Sequence, residues 1–459
     1  MLFNSYSFLF LFLPLVVAVF FLIPIRRVRL GLIVISSFVF YGAAGLQHAV
    51  VLGIEIVWVY ALTCTPTIVG NRMRLTACVV PVFAGLVYYK YTGFIVADVL
   101  MLNSADVPEA FDMFRDAVLP AGISFFTFQL AAFAFDRFRG NVERPPSLFA
   151  FAAYISFFPQ LIAGPIVRYH EISGALANIG DCRWDPARIS KAIALICFGL
   201  ALKVLFADTL SNAMAPIIDI PGALSSVSAL YVVLGYSFQI YFDFYGYSLV
   251  AIGLGLLFGF EFPANFKRPY EALNIRDFWR CWHITLSYWI RDYLFVAIGG
   301  SNHYVRNILI VFLVCGLWHG AGWSFIIWGL YHGILVVAYH WTAPIWDKMP
   351  ALLQRALTFT LVSLGWSLFL YDFNGAKDLM TSLIGAGPMQ EQTMPNVEMW
   401  IYLALSGAAC FLVRAEDWAE AAGRTSKVWS LPVTIGFASL LVLVILFLDR
   451  SQGFIYFRF

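Results

Sequence analysis

The sequence predicts an all-α polytopic membrane protein with about 11–13 transmembrane helices and additional re-entrant and interfacial helices. Of the 459 residues, 61% are hydrophobic and only 12% are charged, whereas average soluble domains carry about 25% charged residues. Apolar stretches near the roughly 20 residues that a bilayer-spanning helix needs recur throughout the chain. A transmembrane β-barrel would instead show alternating segments of about ten residues.

The first apolar run extends from Tyr6 to Pro24. It lacks a preceding basic region and a small-residue cleavage site, so we expect a retained first helix and not a removed signal peptide. We expect a single integral membrane domain over residues 1–459. Its amino-terminal helices would cover about 1–118, a core with the candidate catalytic residues about 119–345, and carboxy-terminal helices about 346–459.

Basic residues gather in alternate loops, which indicates the topology because short cytoplasmic loops carry an excess of Lys and Arg. They follow the first, third and fifth apolar runs, whereas the loop after the fourth run is acidic. The basic residues are Arg26, Arg27, Arg29, Arg72, Arg74, Arg137, Arg139 and Arg144, and the acidic ones are Asp106, Glu109, Asp112 and Asp116. This alternation places the N-terminus outside the cytoplasm and leaves the side of the C-terminus open.

Charge and cysteine usage narrow the function classes. The net charge of +2 gives no indication of nucleic-acid binding, and the seven cysteines, mostly in apolar runs, do not form a disulfide framework. A zinc site of two cysteines and two histidines would need Cys281 and His283 to converge, yet on a helix they diverge. No metal site and no bound cofactor are expected.

His319 stands out because it is an ionisable group surrounded by apolar sequence. Such a group inside a membrane span costs roughly 2.5–3.5 kcal/mol and by default marks a functional site. Histidine is also the side chain best suited to move protons near neutral pH. His319 is therefore the leading catalytic candidate, and the alternative is a histidine that only bonds one helix to another.

Two further histidines lie near this position in the sequence. His283 is expected on a different element, and the pair could converge on one cavity, one moving a proton and the other orienting a substrate. The alternative for His283 is a residue at the membrane interface. His332 lies in Gly-Leu-Tyr-His-Gly, an echo of the Gly-Leu-Trp-His-Gly around His319. On one continuous helix His319 and His332 would point to different sides, so the echo predicts close helix packing and not a second site.

The block from Asn265 to Asp292 alternates aromatic and aliphatic residues with Lys, Arg and Asp. This pattern is typical of a helix in the membrane interface with a Trp-rich face, and the alternative is a cytoplasmic connecting helix. The less polar residues at helical spacing are Phe278, Trp282, Thr285, Leu286 and Trp289.

Three other features place polar groups or helix breakers in apolar sequence. Asp243 closes a long apolar run, where it would either cap the next helix or orient a site. Glu55 is more deeply embedded, and pairing with a buried donor is expected before catalysis. The prolines and glycine of Phe157–Pro165 predict either broken backbone that lines a cavity or a simple kinked span.

Together these motifs resemble the membrane-bound O-acyltransferase (MBOAT) family, and most closely its bacterial alginate O-acetyltransferase membrane-subunit branch. The likeness spans nearly the whole chain in order. Its motifs are MLFNSYSFLFLFLP at 1–14, LPAGISFFTFQ at 119–129, FFPQLIAGPIVRY at 157–169, YFDFYGYSLVAIGLGLLFGFEFPANFKRPY at 241–270, IRDFWRCWHITLSYWIRDYLFVAIGG at 275–300, CGLWHGAGWSFIIWGLYHG at 315–333 and GFIYFRF at 453–459. The chain departs from the branch at Leu249, usually Asp, and at Cys281, often Arg.

The resemblance implies a catalytic role for His319 and a second signature position near the acyl-transfer tunnel for His283. His319 would take the proton from an acceptor hydroxyl as it attacks the acyl carbonyl, while His283 would hold the acceptor or thioester by a hydrogen bond. The residues expected to bind substrate are Trp318, Trp282, Asp243, Gln160, Arg280, Lys267 and Arg268.

The implied donor is a cytoplasmic thioester, acetyl-CoA or another acyl thioester. Lys267, Arg268, Arg276 and Arg280 would form a positive rim at its entrance, because coenzyme A carries phosphates and acyl carrier proteins are acidic. The alternative for these residues is anchoring to anionic lipid of the bilayer.

The implied function is O-acetylation of an exported, alginate-like polysaccharide in the bacterial inner membrane, with a periplasmic N-terminus and a periplasmic SGNH-type acetyltransferase partner. Another exopolysaccharide, cellulose, peptidoglycan or teichoic acid remains open as the acceptor. Two other classes are a polytopic transporter, for which the expected inverted repeats are missing, and a scaffold subunit, in which His319 would be dispensable.

Overall fold

The computed structural model describes residues 1–101, 118–162, 164–386, 394–424 and 431–455. Throughout these ranges the regular structure is helical and includes no β-strand. The all-α prediction is therefore confirmed.

The first α-helices of four or more residues in the described chain follow a π-helical turn at Phe8–Phe12. They are α1 (Leu13–Leu22), α2 (Arg26–Gly42), α3 (Leu46–Thr63), α4 (Arg72–Leu86), α5 (Ile123–Arg139), α6 (Leu148–Ser156), α7 (Phe158–Leu161), α8 (Tyr169–Ala177), α9 (Pro186–Ala201), α10 (Asp208–Ile218) and α11 (Ser226–Leu257). The remaining helices are α12 (Ile275–Cys281), α13 (Ile284–Ile290), α14 (Tyr304–His319), α15 (Trp323–Trp346), α16 (Ala351–Gly365), α17 (Ser367–Leu370), α18 (Phe373–Leu383), α19 (Val397–Leu412), α20 (Ala415–Arg424) and α21 (Leu431–Phe447).

Six helical stretches in the described chain are long and apolar enough to cross a membrane. They are Leu46–Thr63, Arg72–Val99, Pro186–Ile218, Ser226–Leu257, Trp323–Trp346 and Ala351–Leu370. A seventh results if α19 and the adjoining helix, bent by 54°, form one span. The chain is thus a multi-pass membrane protein. The count is below the expected number of crossings because several apolar runs form shorter helices, such as α5 with 17 residues and α14 with 16.

The chain forms two compact units. The first comprises residues 1–198, 247–264 and 416–439, and the second comprises 199–246, 265–415 and 440–459. Both units have aromatic cores: Phe40 and Phe158 pack 5.5 Å apart in the first, and Trp282 and Trp366 pack 4.8 Å apart in the second. The sequence-based boundaries near residues 118 and 345 stay predictions.

Two buried arginines satisfy helix-end carbonyls within the first unit. Arg29 donates to the carbonyls of Phe20 and Ile23 at the end of α1 and to those of residues 179, 180 and 182. Arg137 donates to Thr63 and Thr65 at the end of α3 and to residues 142 and 143. Carbonyls at helix ends lack intrahelical partners. Both guanidinium groups therefore stabilise the fold by hydrogen bonds, in addition to contributing to the basic loops from which the topology was predicted.

In the described part of the Phe157–Pro165 segment the backbone is broken, as the first of the two alternatives predicted, and the lining of a cavity by this segment stays a prediction. Helix α6 ends at Ser156, the one-turn helix α7 follows, and the Phe158 N–H donates to Ser37 Oγ over 3.0 Å. Gln160 is buried, and its Nε2 donates to the Tyr154 carbonyl. Gln160 lies in the first unit, and its predicted role in substrate binding stays a prediction.

Glu55 is buried on α3, as the sequence predicted. Its carboxyl fills the space beside Gly85, where a Cβ would lie 3.0 Å from Oε1. Its Oε2 has no hydrogen-bond partner among the described residues. The expected pairing with a buried donor is therefore not seen at this oxygen within the described chain.

Candidate active site

His319 is the last residue of α14, where the chain leaves the helix for a short turn before α15 begins at Trp323. Gly320 is required in this turn, because a Cβ there would overlap the ring of Phe325. The carboxy-terminal end of a helix carries partial negative charge, which stabilises a cation. His319 therefore lies at the partially negative end of α14.

Glycines set the spacing of α14 and α15. A Cβ on Gly316 would overlap the carbonyl oxygen of Phe325, and one on Gly329 would overlap that of Phe312. The small-residue spacing thus does let the two helices approach closely, as predicted. The premise of one continuous helix was wrong, because the turn at 320–322 makes a hairpin. As a result His319 and His332 both contact Trp328, each with ring centroids 5.0 Å apart.

His283 lies at a break between α12 and α13, with φ of +44°. The prediction of one interfacial helix through this block is therefore wrong. The less polar residues of the block are buried inside the protein, with Phe278, Trp282 and Leu286 each at most 1% exposed. The break has a non-local cause: the Lys267 N–H donates to the Cys281 carbonyl and the Ile284 N–H to the Asn265 carbonyl, both over 2.9 Å.

Asn265 also orients the His283 ring. Its Oδ1 accepts from the hydroxyl of Thr285 at 2.9 Å and lies 3.0 Å from His283 Nδ1. Because Oδ1 is an acceptor, Nδ1 carries the proton and Nε2 keeps its lone pair. His283 lies outside the candidate spans, and burial lowers its pKa to about 3. The imidazole is therefore neutral at physiological pH and can accept a hydrogen bond through Nε2.

The structure brings His283 and His319 together. Their ring centroids are 6.4 Å apart, and Trp318 lies 5.6 Å from the first ring and 5.0 Å from the second. Phe369 packs on His319 at 5.3 Å, and Phe244 packs edge-on against His283 at 4.7 Å. With His283 0% and His319 2% exposed, the pair forms a polar centre within aromatic walls that exclude water.

Two other candidate residues have different surroundings from those expected. Trp282 packs in the core against Trp366 and Phe266, the latter at 5.0 Å. Asp243 does not cap a helix, because α11 continues past it to Leu257. Its Oδ1 pairs with Lys203 Nζ at 2.5 Å, and its Oδ2 accepts from the Ile455 N–H at 2.8 Å.

Sequence reasoning missed Lys203, Asp208 and Asn265. Lys203 had a usable signal, since it is an ionisable residue inside a long apolar run, the same feature that singled out His319. It pairs with Asp208 at 2.6 Å as well as with Asp243. Asn265 had no such signal, because its role depends on contacts with residues distant in sequence.

A cavity of about 280 Å³ lies between α12, α13 and the α14–α15 hairpin. Arg276, Arg280 and Arg291 line it together with apolar side chains, and Cys315, one turn before His319, is among them. Lys267 and Arg268 do not line it. Arg280 pairs with Asp277 at 3.0 Å and Arg291 with Asp292 at 2.6 Å, so part of the positive charge is compensated.

No group of three or more His, Cys, Asp or Glu side chains is placed to hold a metal ion in the part of the chain that the structure describes. The site instead combines a neutral imidazole acceptor, a second buried imidazole at a helix end, and a neighbouring cavity with arginines. These groups are suited to proton transfer and to binding an anionic substrate.

These features describe an integral membrane protein with a buried pair of histidines suited to group transfer. Residues 87–371 match the membrane-bound O-acyltransferase family, MBOAT. The chain belongs to this family, in the branch of the alginate O-acetylases, and is an O-acyltransferase.

Three relatives illustrate the range of the family. The chain is 36% identical to the probable alginate O-acetylase AlgI of Azotobacter vinelandii, over 80% of this chain and 75% of the relative. It is 34% identical to the peptidoglycan O-acetyltransferase of Helicobacter pylori, over 83% of this chain and 78% of the relative. It is 26% identical to the teichoic acid D-alanyltransferase of Bacillus subtilis, over 61% of this chain and 78% of the relative.

Proposed function

We propose that this O-acyltransferase transfers acetyl groups from a cytoplasmic thioester to an exported, alginate-like polysaccharide, with His319 as the general base. The observation that carries the proposal is the approach of His319 and His283 to 6.4 Å between ring centroids within aromatic walls. The similarity to alginate O-acetylases supports the acceptor class.

In the proposed reaction a neighbouring hydroxyl of the acceptor sugar donates a hydrogen bond to Nε2 of neutral His283, which leaves the proton of the attacking hydroxyl free to go to His319. His319 removes the hydroxyl proton as the oxygen attacks the acyl carbonyl. A C–O bond forms, the C–S bond breaks, and the proton passes from His319 to the departing thiolate. Exclusion of water by Trp318, Trp328 and Phe369 favours transfer over hydrolysis of the thioester.

The arginine cavity is the proposed approach for the donor. Its guanidinium groups attract a phosphate-bearing carrier such as coenzyme A or an acyl carrier protein. Its apolar lining accommodates the uncharged arm of the carrier, and Cys315 brings that lining within one helical turn of His319. This assignment replaces Lys267 and Arg268 with Arg291 in the predicted rim.

The test compares His319→Ala with a matched control, His170→Ala, which removes an exposed histidine of the first unit. We expect His319→Ala to abolish polymer acetylation while expression and membrane insertion stay normal, and His170→Ala to behave as wild type. Wild-type acetylation by a well-expressed His319→Ala variant would contradict the base and favour a scaffold role.

Peptidoglycan is the second candidate acceptor, because the identity to a peptidoglycan O-acetyltransferase is nearly as high. We propose that the protein lies in the bacterial inner membrane, with its N-terminus in the periplasm, and works with a periplasmic SGNH-type acetyltransferase. Acetyl ester analysis of secreted polymer and of cell wall from a deletion strain distinguishes the two acceptors: the substrate loses its esters and the other polymer keeps them.

A further inference from the structure

A buried ion network in the second unit holds a distant segment of the chain. Lys203 Nζ pairs with Oδ1 of Asp208 and of Asp243, at 2.6 and 2.5 Å, and these side chains are at most 4% exposed. Two carboxyl groups therefore contact one amino group in the interior of the second unit. Buried ionic groups on membrane-spanning helices are costly and are kept where they serve a function.

The second oxygen of each carboxylate binds the segment 451–455. Asp208 Oδ2 accepts from the Ser451 hydroxyl at 3.0 Å, and Asp243 Oδ2 accepts from the Ile455 N–H at 2.8 Å. Lys203 Nζ also donates to the Gly453 carbonyl at 3.4 Å. Hydrogen bonds to charged groups are about twice as strong as neutral ones, so this segment is fixed at three points.

Between these points Phe454 reaches the surroundings of His283. Phe454 is 2% exposed, and its ring lies 5.7 Å from Phe244. Phe244 in turn packs edge-on against His283 at 4.7 Å. Two neighbouring residues of α11 thus contact this segment. Asp243 binds its backbone, and the ring of Phe244 packs against the ring of Phe454.

We propose that Lys203, Asp208 and Asp243 latch the segment 451–455 so that Phe454 holds Phe244 against His283. The latch and Phe454 are positioning residues, and their effect on the reaction rests on the proposed role of His283. The hydrogen bond to Asn265 fixes only one nitrogen of the ring. Packing against Phe244 restricts rotation of the imidazole ring about its hydrogen bond to Asn265. Nε2 therefore stays directed at the acceptor.

The functional test is Phe454→Ala. A slightly misplaced reacting group costs up to about 100-fold in rate, so we expect kcat to fall by about 10- to 100-fold. Donor KM should stay within about two-fold, because donor binding does not involve this contact. Phe454→Leu, which restores most of the volume, should recover part of kcat. Gln452→Ala is the control, since it removes an exposed hydrogen bond of the same segment to Asn212 and leaves Phe454, Lys203, Asp208 and Asp243 in place.

The latch itself is tested without reference to activity. In detergent, trypsin should cleave after the exposed Arg450 faster in Ser451→Ala and Asp243→Asn than in wild type or Gln452→Ala, as followed by mass spectrometry. Equal cleavage rates in folded variants would overturn the latch, and wild-type kcat in Phe454→Ala would overturn the positioning role. If His319→Ala and His283→Ala remain active, the proposed function fails, whereas faster cleavage after Arg450 would still support the latch.

Discussion

The close packing of α14 and α15 makes the substitution Gly316→Ala a direct test of how the histidine site is built. A Cβ at this position would lie 3.1 Å from the carbonyl carbon of Phe325 and 3.3 Å from Cα of Gly329, and it would overlap the Phe325 oxygen. All of these partners belong to helix backbone, so none can rotate away. The helices must separate, and overpacking of this kind costs about 1–3 kcal/mol.

Because His319 ends α14, separation of the helices also displaces its imidazole from His283. We expect kcat of Gly316→Ala to fall by about 100-fold, the effect of a displacement near 1 Å, together with a lower melting temperature in detergent. The matched control is Gly31→Ala on α2, where a Cβ would meet nothing within 4 Å. Alanine there should stabilise the helix by about 0.5–1 kcal/mol. A Gly316→Ala protein with wild-type melting temperature and kcat would refute the packing argument.

Two further predictions concern the cavity and His332, which is buried in the second unit along with His283 and His319. Charge reversal of Arg276 and Arg280 should raise the KM for the thioester donor in detergent by about ten-fold, and added salt should weaken donor use by wild type. An unchanged KM, matching that of the exposed control Arg355→Glu, would leave only lipid anchoring as their role. His332→Phe removes two ring nitrogens that have no hydrogen-bond partner among the described residues. This variant should be more stable by about 1 kcal/mol with nearly unchanged acyl transfer, and a large loss of kcat would show that His332 does more than pack.

The features that sequence reasoning predicted correctly depend on local sequence. An isolated ionisable residue in an apolar run identified the buried position of His319, and glycines at helical spacing predicted the approach of α14 to α15. The prolines of the Phe157–Pro165 segment predicted a break or a kink. This prediction is also local, because proline has no N–H to continue the hydrogen bonds of a helix.

The predictions that were wrong depended on distant residues. Helical spacing in the block around His283 suggested one amphipathic helix, but backbone pairing with Asn265 and Lys267 interrupts it. The expectation that Asp243 caps a helix was wrong, because α11 continues past it. Its partners, Lys203 and Ile455, lie far away in the sequence. The alternative, that Asp243 orients a site, stays a prediction. Periodicity and motif spacing carry no information about such pairings.

The two histidines therefore differ in how their positions are maintained. His319 is held by its own hairpin, through the glycines and aromatic rings of α14 and α15. His283 is held by Asn265, which also binds the Thr285 hydroxyl, and by Phe244, which packs against Phe454. Substitutions that displace His319 should consequently cluster in and around its motif, whereas those that displace His283 should be scattered from residue 203 to residue 455. A motif search alone would find the first group and overlook the second, although both act on the same pair of rings.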